Sequence, residues 1–323
     1  ASRIYDAVTD PLSGWLSDRT KSSLGRRRPY LLGGAFVSAF SFALVFNVPI
    51  QETGVWMTTW VMVSLLIFTT GYSMFNVPYM AMPAEMTQDY HERSVIHGYR
   101  VVSAALGGLA VQFLAGVFLE TVGKDRAGYS LVAWIGAALI FVSMMIAFTG
   151  TAKAPVVAQS PNSLSFGEQV RAFLDNRAFQ LIIAVKLAQL IGISAATGGL
   201  IFFFARVIDV PLTILPVFGL ATTVAVFVST PVLLWVGRHL GKKVGYALSA
   251  GITGLAALSW MFAQPGDPTW MVLLRGFFLG IAFAGNVMFA MSMLTDAMEV
   301  DWHRTGMRRE GMYSALYSFV EKL

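Results

Sequence analysis

Two aspartates, Asp6 and Asp10, lie four residues apart in a largely apolar stretch near the start of the sequence. On an α-helix this spacing puts both side chains on one face. A carboxylate inside a membrane helix costs about 2.5 to 3.5 kcal/mol on insertion scales, so a pair of them indicates function rather than stability. Hard cations bind oxygen ligands, and a carboxylate also binds a proton. The pair therefore predicts a Na⁺ or H⁺ site at Asp6 and Asp10.

The composition places this pair in a membrane protein. Of the 323 residues, 56% are hydrophobic and 13% are charged, whereas soluble domains are about 25% charged. There is no cysteine, which excludes disulfides and thiolate metal sites. Several apolar stretches reach the roughly 20 residues that a membrane-spanning helix requires. These stretches are 30–50, 56–83, 98–122, 129–151, 178–205, 213–236, 244–264 and 269–294.

The basic residues predict which loops face the cytoplasm. About fifteen Lys and Arg residues fall in the loops of one side and about three in the loops of the other, and the basic side is cytoplasmic by the positive-inside rule. The longest loop, residues 152–177, is on that side, and its segment Leu164–Phe173 could form an amphipathic surface helix. We therefore expect a multi-pass protein of the bacterial inner membrane, surrounded by the lipid bilayer.

An internal repeat divides the chain at this long loop. Pro11–Leu16 followed by Gly25-Arg26-Arg27 recurs as Pro231–Val236 followed by Gly241-Lys242-Lys243. Repeats of this kind are typical of membrane proteins that are built from two parallel helix bundles. The sequence thus predicts an all-α membrane protein with pseudo-symmetric halves.

The repeat and the spans together predict the domain organisation. We expect an N-terminal bundle over residues 1–151, a central cytoplasmic loop over 152–177 and a C-terminal bundle over 178–323. Two partial spans, 1–17 and 312–323, stand at the ends of the sequence. The expected architecture is two six-helix bundles, of which this chain lacks the first helix and most of the last two.

The loop motif carries a family resemblance. The motif residues are Gly14, Asp18, Arg19, Gly25, Arg26 and Arg27, with Arg28-Pro29 behind them. The motif is similar to a loop of major facilitator transporters, in a lengthened form. With the aspartate pair, Tyr99-Arg100, Arg309-Glu310-Gly311 and Lys322, the chain resembles the glycoside–pentoside–hexuronide:cation symporters, the group of melibiose permease. The resemblance covers the whole chain and implies the major facilitator fold.

The resemblance also implies roles for individual residues. The family's cation-binding positions would be Asp6, Thr9, Asp10 and Ser73, and its substrate-binding positions would be Tyr72, Asn76, Met80, Arg100 and Lys322. Two positions depart from the family pattern. Sugar transporters of the family have Asp where this chain has Asn76, and melibiose permease has Trp where this chain has Met80. Both departures weaken a galactoside site, since they remove a charged acceptor and a stacking surface. The cation positions are retained.

The expected function is symport of a monovalent cation, Na⁺ or H⁺, with a glycoside or related small solute by alternating access. An anionic sugar or an amphiphile such as a lysolipid fits the remaining residues as well, and a non-transporting receptor or a scramblase on the same scaffold is the alternative from another class. There is no Gly-rich phosphate loop, no His-Glu-x-x-His and no nucleophile elbow in context, so we expect neither an enzyme nor a cofactor. We also expect a monomer that binds no nucleic acid.

Three structural interpretations compete with these roles. The aspartates could form an ion network with Arg3 and Arg100 in place of a cation site. The Arg26-Arg27-Arg28 run could be a topology signal that contacts anionic lipid, or a gate with Asp18 as its partner. The glycine pairs 107–108 and 198–199 are predicted to be points of close helix packing, since small residues let backbones approach.

Overall fold

The structure, a computed structural model, describes residues 2–49, 54–121, 125–153, 176–209, 214–307 and 309–322. Within these ranges it contains α-helices, one 3₁₀ turn at Trp260–Phe262 and no β-strand. The helices are α1 Ser2–Arg19, α2 Arg28–Phe46, α3 Val55–Met86, α4 Tyr90–Thr121, α5 Arg126–Gly150, α6 Arg177–Arg206, α7 Ile214–His239, α8 Lys242–Ser259, α9 Thr269–Thr305 and α10 Glu310–Lys322.

Eight of the helices, α2 to α9, are long and apolar enough to cross a membrane. They coincide with the eight predicted apolar stretches, so the all-α membrane prediction is confirmed. The proposed surface helix Leu164–Phe173 lies outside the described residues. Helix α9 has 37 residues, which corresponds to about 55 Å at 1.5 Å per residue. It therefore extends beyond the roughly 30 Å hydrocarbon core of a bilayer.

The start of α4 is fixed by a side chain that precedes it. The Asp89 carboxylate accepts hydrogen bonds from the backbone N–H groups of His91 at 2.7 Å and Glu92 at 2.8 Å. These N–H groups have no partner within the helix, because the first turn of a helix leaves its donors free. The two hydrogen bonds lower the pKa of Asp89, so its carboxylate stays charged.

The chain forms two compact units. Unit 1 consists of Ala1–Gln88, Leu114–Ile183 and Ala297–Leu323, and unit 2 consists of Asp89–Phe113 and Ala184–Asp296. Helices α1, α2, α3, α5 and α10 belong to unit 1, α7 and α8 belong to unit 2, and α4, α6 and α9 contribute to both. The predicted division at residues 152–177 stays a prediction, since most of that loop lies outside the described residues.

Each unit has its own apolar core. In unit 1, Leu31 of α2 packs with Phe75 and Met82 of α3. In unit 2, Phe289 of α9 packs in a cluster with Val101 of α4 and Leu233 of α7. A second cluster of unit 2 surrounds Phe204 and Phe218. Because the side chains that face lipid are also apolar, these cores are defined by helix contact rather than by composition.

Glycines bring helices together in unit 1, but not where the sequence predicted. A Cβ atom added at Gly34 of α2 would lie 2.8 Å from the backbone nitrogen of Phe75, and one at Gly71 of α3 would lie 2.7 Å from that of Ser38. Helices α2 and α3 therefore approach each other at backbone distance. At Gly107 and Gly198, and at the glycines that follow them, an added Cβ would meet open space. The prediction of close packing at these pairs was wrong.

We expect Gly34→Val to destabilise the protein, because the new side chain must push α2 away from the backbone of α3. Overpacking of this kind costs about 1 to 3 kcal/mol. The measurement is thermal unfolding of the purified protein followed by tryptophan fluorescence. Gly107→Val is the matched control, since that position has open space around it. Equal loss of thermal stability in both variants would contradict the packing described here.

Candidate cation site and clasp

The aspartate pair meets a lysine from the far end of the chain. The Lys322 ammonium of α10 lies 2.8 Å from Asp10 Oδ1 and 3.3 Å from Asp6 Oδ1, and it donates to Ser73 Oγ of α3 at 2.9 Å. An ammonium has three N–H donors, so these three oxygen atoms match its donors. We call Asp6, Asp10 and Ser73 the cation seat. Of the four predicted cation-binding residues, the structure brings these three together.

The seat is buried. Asp10 is completely inaccessible to solvent, and Asp6 is 5% exposed. The second carboxylate oxygen of Asp10, Oδ2, accepts no hydrogen bond within the described part of the chain. A buried carboxylate is stable only when it is paired with positive charge or hydrogen-bond donors. The seat therefore requires a cation, and Lys322 supplies one.

The fourth predicted ligand points elsewhere. The Thr9 hydroxyl donates to the backbone carbonyl of Tyr5, 3.3 Å away on the same helix. Hydroxyls of Ser and Thr often bond in this way to the preceding turn of a helix. The role of Thr9 as a cation ligand stays a prediction.

The predicted substrate residues of α3 lie next to the seat. Asn76 donates to Ser318 Oγ of α10 at 3.3 Å and contacts the sulfur of Met80 at 3.5 Å. The Tyr72 ring has its centroid 5.6 Å from the Lys322 ammonium. Asn76 and Met80 are buried, whereas Tyr72 is exposed. All of them belong to unit 1.

Arg100 belongs to the other unit. It lies on the part of α4 that is assigned to unit 2, and its side chain is half-buried. The structure therefore gives no placement of Arg100 relative to the cation seat. Its predicted role in substrate binding, and the alternative ion network with the aspartates, both stay predictions. The side chain of Arg3 lies outside the described part of the structure.

A second group of charges lies at the opposite end of α10. The Asp18 carboxylate accepts hydrogen bonds from the backbone N–H groups of Gly311 at 3.1 Å and Met312 at 3.2 Å. These are first-turn donors of α10, which favour a negative charge at the helix N-terminus. The positive charge next to Asp18 is the guanidinium of Arg27, whose Nη2 lies 2.6 Å from Asp18 Oδ1.

Two glutamates complete this group. Glu85 of α3 accepts from Arg26 Nη2 at 2.8 Å and from Arg27 Nε at 2.7 Å. Glu310 of α10 accepts from Arg26 Nη2 at 2.9 Å. The side chains are all at most 8% exposed. We call this network the clasp; its members are Asp18, Arg26, Arg27, Glu85, Glu310 and the backbone amides of Gly311 and Met312. It ties α1, the residues before α2, α3 and α10 together.

Burial and charge act against each other at Arg27. Burial by itself would lower the pKa of the guanidinium, but the charges of Asp18, Glu85 and Glu310 outweigh it and raise the pKa. Arg27 also donates to Ser17 Oγ at 2.7 Å. Its guanidinium thus remains charged and holds several acceptors at once, as a planar fork of donors allows.

Two residues of the arginine run are buried in the clasp. Arg26 and Arg27 are 6% and 2% exposed and contact carboxylates. The role of the run as a gate or as a topology signal stays a prediction. Arg28 lies over the Phe148 ring, 4.4 Å from its centroid. Arg19 is exposed and lies over the Trp15 ring. Gly25 has a φ of +86°, a left-handed conformation that glycine adopts without strain.

Sequence reasoning did not identify Glu85 or Glu310 as partners of this loop. Glu85 is 59 residues and Glu310 is 284 residues away from Arg26, and no short motif spans such separations. One signal was available. Glu85 stands near the end of an apolar span and Glu310 follows directly on Arg309, and acidic residues in such positions require a partner.

The second half of the repeat forms a smaller network within unit 2. The Lys242 ammonium lies 2.7 Å from Asp296 Oδ2, and Arg93 Nη1 lies 3.2 Å from Asp296 Oδ1. The same ammonium lies 3.5 Å from the centroid of the Tyr90 ring. Thus Arg27, which precedes α2, contacts Glu310 of α10, and Lys242, at the start of α8, contacts the Tyr90 ring of α4.

Two solved structures of transporters resemble this chain in fold. The Escherichia coli fucose:proton symporter superposes with a TM-score of 0.66, covering 99% of this chain and 87% of its own, at 14% identity. A bacterial homologue of the iron transporter ferroportin, in an outward-facing state, has a TM-score of 0.69 and covers 99% of this chain and 78% of its own, also at 14% identity. At this identity the likeness concerns the fold, and it confirms the major facilitator prediction.

Relatives found by sequence share more identical residues with this chain than these two solved structures do. The uncharacterized symporter YnaJ of Bacillus subtilis is 28% identical over 99% of this chain and 69% of its own length. The putative glycoside/cation symporter YagG of Escherichia coli is 27% identical over 100% of this chain and 70% of its own length. The isoprimeverose transporter of Lactiplantibacillus pentosus is 24% identical over 99% and 67%.

The sequence model of a transporter family, described as MFS/sugar transport protein, matches residues 1–323. Together with the symporter relatives, this match confirms the resemblance drawn from the loop motif and the aspartate pair, and it confirms that the chain is a transporter rather than an enzyme. The chain belongs to the MFS/sugar transport protein family.

Proposed function

We propose that this transporter couples the entry of a monovalent cation, Na⁺ or H⁺, to uptake of a glycoside or related small solute by alternating access. One observation supports this most strongly. Two buried carboxylates and a hydroxyl converge on a single positive charge where α1, α3 and α10 meet. Asp6 and Asp10 carry two negative charges, and a membrane protein retains such groups for ion binding rather than for stability.

The coupling follows from charge neutralisation. A cation at the seat removes part of the negative charge of Asp6 and Asp10, which lowers the free energy of any state in which the seat is sealed from water. The clasp supplies an element that must open and close during alternating access, because it ties α1 and the α1–α2 loop to α10. Cation and substrate must raise each other's affinity by the same factor, since coupling between two binding events is reciprocal.

The substrate class is supported by the residues beside the seat and by the relatives. Tyr72 and Asn76 present a phenol and an amide, which bind solute hydroxyls. Asn76 and Met80 replace the carboxylate and the indole that favour a galactoside, so we propose a different glycoside as the substrate. The isoprimeverose transporter, 24% identical over 99% of this chain, provides the first probe sugar. Lactose, named in the lactose permease of Lactobacillus helveticus, is the galactoside for comparison.

Transport of an amphiphile and a role as receptor or scramblase predict different behaviour. An amphiphile transporter would exchange lysolipid rather than isoprimeverose or lactose in counterflow experiments. A receptor or scramblase would show no cation-dependent counterflow of any solute. Counterflow in proteoliposomes with each probe, with and without Na⁺ and at two pH values, separates these functions.

We expect Asp10→Asn to abolish cation-driven accumulation of a transported probe sugar, because the amide cannot hold the coupling cation. Exchange of sugar across the membrane should survive in part, since it needs no net cation movement. The measurement is uptake of radiolabelled isoprimeverose by proteoliposomes under an imposed Na⁺ or proton gradient.

Asp209→Asn is the matched control for this experiment. Asp209 is exposed and has a φ of 50°, a conformation that Asn adopts readily, so accumulation should be unchanged. Normal accumulation by Asp10→Asn against a gradient would refute the cation site.

We expect Arg27→Lys to slow transport by about tenfold or more, which corresponds to about 1.4 kcal/mol. Lysine keeps the charge but cannot reach Asp18, Glu85 and Ser17 together, because it lacks the planar fork. Initial rates of counterflow measure the effect. Arg304→Lys is the control, since Arg304 is exposed and lies outside the loop motif and the clasp, and its rate should match the wild type. If Arg27→Lys transports at the wild-type rate, the clasp has no part in the transport cycle.

A further inference from the structure

Lys322 occupies the place that an external cation would need. Its ammonium contacts both carboxylates and the hydroxyl of the cation seat, at 2.8, 3.3 and 2.9 Å. A small cation bound between the same oxygens would lie within about 3 Å of a full positive charge, and the two would repel each other strongly in a buried site. The ammonium and an external cation therefore cannot both occupy the seat.

The same helix carries the amides of the clasp. Lys322 is the last described residue of α10, whereas Glu310 and the amides of Gly311 and Met312 are in its first turn. Glu310 and Lys322 are twelve residues apart, which corresponds to about 18 Å along the helix. Most of the side chains between the two ends are buried, with Ser314 and Tyr317 fully inaccessible. Close packing along this segment transmits a displacement from one end to the other.

A second contact between α3 and α10 fixes their alignment. Asn76 donates to Ser318 one turn before Lys322, and Ser73 accepts from Lys322 itself. Ser73 and Asn76 are three residues apart, and Ser318 and Lys322 are four apart, so each pair lies on one helix face. These two neighbouring hydrogen bonds hold α10 in the position that places the Lys322 ammonium in the cation seat. Asn76 is thus a positioning residue for Lys322.

We propose that Lys322 is a tethered cation that competes with the external coupling cation for the seat, and that its release is linked through α10 to opening of the clasp. This inference rests on the proposed cation site. With the clasp closed, α10 holds Lys322 between the aspartates. When an external cation enters, Lys322 must leave, and α10 shifts away from Asp18. Linkage requires the reverse as well, so weakening the clasp must strengthen cation binding.

The test is Na⁺ binding to the full protein in detergent, measured by isothermal titration calorimetry without any sugar. We expect Lys322→Met, which keeps the apolar stem, to bind Na⁺ about tenfold more tightly than the wild type or better, because the competing charge is gone. We expect Asp18→Asn to tighten Na⁺ binding by about fivefold, because α10 moves at a lower cost. The Glu310→Gln variant, which weakens the clasp through Arg26, should act in the same direction.

The double variant Lys322→Met with Asp18→Asn tests the link between the two ends of α10. Once the ammonium is absent, α10 need not move, so the double variant should bind Na⁺ no more tightly than Lys322→Met alone. Lys186→Met is the control for loss of a buried lysine, since Lys186 lies in unit 2, and its Na⁺ affinity should equal that of the wild type. Thermal unfolding checks that each variant is folded.

Each result has a definite meaning. If Lys322→Met binds Na⁺ no more tightly than the wild type, or neither binds it, the lysine is not a competitor and the inference fails. If Lys322→Met gains affinity but Asp18→Asn and Glu310→Gln do not, the link through α10 fails. If the inference fails while Asp10→Asn still abolishes accumulation, the proposed symport stands. If all variants bind Na⁺ as expected but no gradient drives uptake, symport fails and the competition stands.

Discussion

The electrostatic requirement of two buried carboxylates organises the helices of unit 1. Asp6 and Asp10 face the same side of α1, and their charges must be balanced within an apolar environment. The balancing ammonium comes from α10 and the supporting hydroxyl comes from α3, so three helices meet at one point. Close approach of α1 and α10 makes this meeting possible, since Gly14 leaves room for the backbone and side chain of Gly311 and Ala315. Charge balance and backbone packing thus act on the same helix pair.

A second charge balance at the other end of α10 has a different purpose. The clasp combines two arginines with three carboxylates and two backbone amides of the first turn of a helix. Buried ion networks contribute little net stability, since the cost of removing each charge from water offsets most of the attraction. They do specify one arrangement of helices strongly, because breaking one member leaves another charge buried alone. Such a network suits a transporter, which needs states that are distinct and still interconvert.

The sequence allowed some of this to be predicted, for identifiable reasons. The spans followed from apolar length, and the pairing of Asp6 with Asp10 followed from helical spacing, because both are local properties. The meeting of Asp10 with Lys322 spans 312 residues and is a property of the fold, as is the contact of Glu310 with Arg26. The glycine pairs 107–108 and 198–199 show the opposite case: a local pattern suggested packing, but small residues become contacts only where another helix is adjacent. Asn76 was interpreted through the substrate, and its bond to Ser318 gives it a part in positioning α10.

The central claim is that cation and solute bind to one coupled site, and this claim has a direct thermodynamic test. The melting temperature of the purified protein is measured over a panel of glycosides and lysolipids, each with and without Na⁺ and at two pH values. A ligand that binds the native state raises the melting temperature, and reciprocity requires the coupling cation to increase that rise. We expect at least one glycoside to raise the melting temperature by a larger amount when Na⁺ is added or the pH is lowered. A glycoside that stabilises the protein equally under all of these conditions would contradict the coupling of cation and solute binding.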